Sequence, residues 1–152
     1  MQNVHVSGLN ALALRGACQG AGPSSEFPVY VPYTTAVLTS AALSAAVALS
    51  RNLGAHVSLV AVQVVPFPLP LDKPAVSPGF LQGKLKAVAR DVEAPVDAQV
   101  VIARDSEVAY DRAIPRGSLV VLATKRRWWP TRQAQLARLL VRDGRNVALV
   151  EI

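Results

Sequence analysis

The residues best suited to chemistry lie together in the last third of the chain: Lys125-Arg126-Arg127-Trp128-Trp129-Pro130-Thr131-Arg132. Three adjacent cations can hold an anion through charge-assisted hydrogen bonds, and two indoles can stack on bases or fill a partner's pocket. An apolar run, Ser118–Thr124, leads into this segment; a helical pattern and a second apolar run, Val147–Val150, follow it. In open parallel sheets a ligand sits beyond the carboxyl ends of such strands. The charge therefore stands where an α/β domain holds its ligand, and it points to an anion: a nucleotide, a nucleic acid or an acidic surface. A solvated basic helix that keeps an apolar chain in solution accounts for the same charge without any ligand.

The positive charge is local. Nine Lys or Arg fall between Arg112 and Arg145 against one acid, Asp143, while the remaining residues hold seven basic and nine acidic side chains. Other chemistries find no support. His5 and His56 are far apart and lack a ligand pattern. No Ser-His-Asp or Cys-His set can be assembled, because no third group is present to orient a base. Asp105 and Glu107 suit a helix start, where the dipole favours acids, rather than paired-carboxylate catalysis. Tyr110 and Asp111 read as surface or edge residues. The chain is expected not to be an enzyme, and no metal is expected. Cys18 is the only cysteine, which excludes an internal disulfide and favours a cytoplasmic location. No run reaches the roughly 20 apolar residues of a membrane span, and no basic start precedes Leu9–Leu14, as a signal peptide would require.

The elements that must position the basic loop follow from periodicity. Residues 1–26 are small and polar and read as a flexible N-terminal segment; residues 27–152 form one domain. Phe27–Tyr33 is a short strand in which Pro28 and Pro32 confine regular pairing to the middle. Thr34 or Thr35 caps a helix to about Leu53, with Leu38, Ala42, Ala45, Leu49 and Leu53 at helical spacing and Gly54 ending it. His56–Val65 is apolar on both faces, as buried parallel strands are. Residues 66–78 hold five prolines and make an extended loop. A helix from Gly79 to about Val92, a strand at Val96–Ala103, a short helix capped by Asp105 or Ser106, a strand at Ser118–Ala123, a helix to about Arg142 and a strand at Asn146–Ile152 complete the order. Alternating strands and helices predict an α/β, Rossmann-like parallel sheet with right-handed crossovers and helices on both faces.

This order, together with several local runs, resembles the universal stress protein family over about residues 27–152. Val29-Tyr-Val-Pro-Tyr33 leading into Ala41-Ala-Leu-Ser-Ala-Ala46 resembles the family's opening strand and helix. Gly54-Ala55 before His56–Val62 resembles its second strand, and Ser118–Leu122 and Val147–Val150 resemble its last two. The resemblance implies a five-stranded parallel sheet in the order 3-2-1-4-5 and a homodimer built through the last strand, which makes Val147 and Leu149 candidate interface residues. Many family members bind ATP. Thr34 then stands where an Asp lies near the adenosine, Val62 matches the valine near the adenine, and Lys125, Arg126 and Arg127 follow the fourth strand.

The family's phosphate motif is absent. It runs Gly, two residues, Gly, nine residues, then Gly and Ser or Thr. Its positions here are Ala123, Arg126, Leu136 and Ala137, or Gln133-Ala134 for the final pair when counted back from the last strand. Arg104 stands where a glycine follows the third strand. Glycine lets backbone amides approach phosphate, and side chains at those positions crowd it. The first expectation is therefore a non-catalytic regulatory or stress-response protein with no cofactor, acting on a regulatory protein partner. The alternatives are an ATP- or AMP-binding signalling protein that uses Thr34, Val62, Lys125, Arg126 and Arg127 as a basic phosphate site, and a nucleic-acid binder working through the basic aromatic loop. For Trp128 and Trp129, packing on the domain ranks first, a partner interface second and nucleic acid last. The proline-rich loop at 66–78 corresponds to the segment that closes over the family's site.

Overall fold

A computed structural model describes residues 2–6, 11–18, 28–126 and 131–152. The elements run β1 (Gln2–Val6), β2 (Ala11–Cys18), β3 (Pro28–Pro32), α1 (Ala36–Leu53), β4 (His56–Val64), α2 (Pro78–Arg90), β5 (Val96–Ala103), α3 (Ser106–Ala113), β6 (Leu119–Thr124), α4 (Arg132–Arg142) and β7 (Asn146–Glu151). The sheet order is β1-β2-β5-β4-β3-β6-β7. The five strands from β3 onward are all parallel and stand in the expected order 3-2-1-4-5. The segment expected to be a flexible lead contains two strands instead. β2 pairs antiparallel with β5 over eight residues, and β1 pairs antiparallel with β2. β5 would otherwise be an open edge, and an apolar stretch such as Ala11–Leu14 is a ready partner for its unpaired backbone groups.

The strands are apolar because both faces are covered. Val29, Val31, Val57, Leu59, Val100 and Ile102 pack against α1 and α2. Val60, Val101, Val120 and Leu122 pack against α3 and α4, where Ala109, Ile114 and Leu140 meet them. α1 is long and apolar enough to cross a membrane by length and composition, with a mean hydropathy of 1.3, but it lies along the sheet as a core helix. Thr35 caps it by accepting from Leu38 N at 3.3 Å, and Gly54 ends it at φ 61°, a left-handed conformation open to glycine. Its buried face is not the predicted one. Leu43, Ala46 and Val47 are closed from water with Leu38 and Ala42, whereas Leu49 and Leu53 are exposed. Apolar residues occupy two thirds of this helix and stand on every face, so periodicity could not choose its rotation about its own axis.

One buried cation ties the end of α3 to the turn between α4 and β7. The Arg145 side chain is fully closed from solvent; Nε and Nη2 donate to Ile114 O at 2.9 and 2.6 Å, and Nη2 also to Asp111 Oδ1 at 3.1 Å. The guanidinium thereby caps the C-terminal carbonyls of α3 from the β7 side. Tyr110, expected at the surface, is instead half-buried and packs against the α3–α4 core. Burial pushes its hydroxyl up from 10.0 to about 12.

Two outcomes follow. Arg145→Ala leaves Ile114 O without its side-chain donors and Asp111 with only the 3.8 Å approach of Arg116, and should lower stability by about 3 kcal/mol in urea denaturation. The folded chain holds the Tyr110 proton more tightly than the unfolded chain. The stabilisation is therefore complete below pH 10 and is lost as pH rises towards about 12. Tyr110→Phe should flatten that alkaline fall when midpoints are compared across pH.

Candidate functional site

Strand order reverses between β3 and β6, and beyond the carboxyl ends of such strands open α/β sheets place the ligand crevice. On the β3 side the chain turns tightly. Tyr33 N donates to Val60 O at 2.7 Å, and Thr34 N donates to the hydroxyl of buried Thr39 at 3.0 Å. The amide nearest the reversal is thus already bonded within the protein. On the β6 side Thr124 and Thr131 bracket the basic loop, their hydroxyls 3.3 Å apart, and Thr131 caps α4 by accepting from Ala134 N at 3.1 Å. The cap is set by Thr131, and α4 has no acid in its first turn.

Of the sequence-predicted anion residues, Thr34 and Lys125–Arg126 follow neighbouring strands at this reversal. Lys125 and Arg126 are exposed. Arg126 is 93% exposed and lies 3.7 Å from Glu151 Oε1 on β7, so it is directed to the outer strand rather than across the crevice towards β3. Val62 is a half-buried strand residue packed against the α3–α4 core. Arg127, Trp128 and Trp129 lie outside the described residues. Val147 is half-buried and Leu149 is 52% exposed on β7, whose outer edge carries no further strand among the described residues.

A residue weighed only as a missing glycine dominates the next part of the edge. Arg104, directly after β5, donates through Nη1 to Val65 O at 3.2 Å, to Pro66 O at 3.3 Å and to Leu69 O. Its guanidinium also covers the Phe67 ring at 4.2 Å. One cation therefore straps the start of the proline-rich loop to the ends of β4 and β5. Gln63 fixes the far side of the same loop, Nε2 donating to Val76 O at 2.9 Å. Pro66, Pro68 and Pro70 stiffen the strapped segment, and Leu69 N closes a turn onto Pro66 O at 3.0 Å. The sequence offered one signal for this arrangement: a long cation after an apolar strand, facing a loop whose prolines leave carbonyls unpaired.

At the opposite edge, His56 Nε2 lies 2.6 Å from Asp97 Oδ2, pairing neighbouring strands β4 and β5. No group of three His, Cys, Asp or Glu side chains that could hold a metal exists among the described residues.

With this geometry in place, comparison with solved structures is informative. The chain is similar to a universal stress protein solved in complex with cAMP, with a TM-score of 0.52 and 13% sequence identity, covering 82% of this chain and 96% of the other. The fold is universal-stress-like. No protein-family model matches the sequence, and no curated protein is similar to it.

The strap makes a direct prediction. Arg104→Ala removes the donor to three loop carbonyls, so deuterium exchange in the peptide covering 65–76 should rise at least about tenfold, while peptides in α1 stay unchanged.

Proposed function

We propose that this chain is a non-catalytic, cytoplasmic regulatory domain of universal-stress type that does not take ATP through the usual glycine loop. The observation that carries this reading is the Arg104 strap. Where a glycine backbone would approach a nucleotide, a guanidinium donates through Nη1 to Val65, Pro66 and Leu69 and covers Phe67. The segment from Ala123 to Arg126 contains no glycine, and the amide of Thr34 is bonded to Thr39. A phosphate entering here meets the side chains of Lys125 and Arg126 beside a Thr34 amide that is already bonded.

The chain is further proposed to act as a homodimer through β7, with a regulatory protein as partner. Support comes from the open outer edge of β7 and from Leu149 standing exposed on it. A long edge with an exposed aliphatic residue invites strand pairing. Leu149→Lys should shift the chain from dimer to monomer in light scattering.

A second reading has one observation in its favour. The N-terminus of α4 opens at the crevice beside Lys125, with no acidic residue in its first turn, and a helix start of this kind attracts anions. The similar universal stress protein is solved with cAMP. Under that reading the ligand is ATP, AMP or a cyclic nucleotide held by charge from Lys125 and Arg126. Calorimetric titration with ATP, AMP and cAMP, with and without magnesium, separates the two. A flat trace supports the first reading. Saturable binding near one ligand per chain, weakened at least about tenfold by Lys125→Ala with Arg126→Ala, establishes the second.

A further inference from the structure

The amino ends of β3 and β6 frame a second concavity, on the opposite edge of the sheet from the crevice described above. It is a groove of about 700 Å³, walled by Pro28 and Val29, by Pro115 and Leu119, and by Leu53 at the end of α1. That volume lies within the roughly 300–1,000 Å³ of small-molecule sites, and like them it is mainly apolar. Leu53 is 60% exposed, a large aliphatic side chain left open to the groove.

Two features hold the groove open. β3 and β6 pair only at Val29–Leu119 and Tyr30–Val120, so the ladder stops short of Pro28, which has no N–H to extend it. The facing wall is a fixed turn. Ser118 N donates to Pro115 O at 3.3 Å, and Gly117 stands at φ 81°, as the third position of a type II turn requires. Gly117 N donates to Gly144 O at 2.8 Å, and Asn146 Nδ2 donates to Gly117 O at 3.2 Å. Just before the turn, buried Arg145 holds Ile114 O.

This rigid turn presents one cation at the rim. Arg116 occupies its second position with a side chain that is 75% exposed, and among the described residues its ion pair is a 3.8 Å approach to Asp111 Oδ1. The same oxygen lies 3.1 Å from the fully buried guanidinium of Arg145. Asp111 is thus committed to the buried cation, and Arg116 keeps its donors for another carboxylate. Ser118 adds a hydroxyl-bearing residue to the same lining.

We propose that this groove binds an amphipathic monocarboxylate, with the apolar body against Leu53, Val29 and Leu119 and the carboxylate on Arg116. A planar guanidinium fork matches a carboxylate in two parallel hydrogen bonds, and its fixed turn lowers the ordering cost of forming them. The site is independent of any nucleotide bound at the other edge.

The test is calorimetric titration of the full chain with decanoate, kept below its micellar range, and with decyltrimethylammonium as a cation of equal chain length. The expected result is saturable decanoate binding at one per chain and none for the cation. Arg116→Gln should weaken decanoate by about tenfold or more, and Leu53→Glu should abolish binding. Both side chains are exposed, so both variants keep the fold, which circular dichroism checks. No saturable decanoate binding, equal binding of the cation, or decanoate affinity unchanged in either variant overturns the proposal.

Discussion

A parallel sheet with helices on both faces has no room for charge along its strands. Val31, Leu59, Val100, Ile102 and Leu122 are closed from water on one side or the other. An unpaired cation among them would face a desolvation cost that no partner there offsets. Charge on the five parallel strands is therefore gathered towards their ends, the buried polar groups within them, Ser58 and Gln99, being uncharged, and each end is shaped by a few long side chains. The one buried guanidinium, Arg145, obeys the same rule. It sits just before β7, its Nε and Nη2 bonded to Ile114 O and Asp111 and its Nη1 3.8 Å from Asp143 Oδ2, and ties α3 to the last strand.

The two ends are built differently. At the carboxyl end, Arg104 and the prolines between 66 and 70 close the edge over β4 and β5, while Thr124, Thr131 and the Thr34–Thr39 bond fix what lies beside β3 and β6. The Thr34 amide and Arg104 Nη1 are both bonded inside the protein. At the amino end the pairing of β3 and β6 is cut short by Pro28, and a glycine turn holds a solvent-facing cation beside apolar walls. At the first end the Arg104 and Thr34 donors are used within the protein, with Lys125 and Arg126 left exposed beside them, and the second end is left open. The order of strands is universal-stress-like.

Much of the fold was legible from residue order. Val96–Ala103 reads as a strand because its apolar run is bounded by Pro95 and Arg104, and α1 reads as a helix because Thr35 and Gly54 punctuate it. The order 3-2-1-4-5 came from resemblance, since local pattern does not tell which parallel strands are neighbours. The N-terminal strands were missed because small residues and glycines between 7 and 26 resemble a linker, and their pairing depends on the distant edge of β5. The rotation of α1 was missed because Ala and Leu occupy nearly all its faces. At the candidate site the basic run was visible, but its partners were not. That Arg126 turns to Glu151, or Arg104 to Leu69 O, depends on strand neighbours far apart in sequence.

The central claim is that the carboxyl-end crevice is closed by its own side chains. Hydrogen–deuterium exchange with and without saturating magnesium-ATP tests it most directly, read over peptides covering 33–39, 62–76, 103–108 and 124–126. The account predicts identical exchange in all four with and without nucleotide. Concerted slowing across them would show that ATP enters the crevice and reorganises the strap, and would contradict the account.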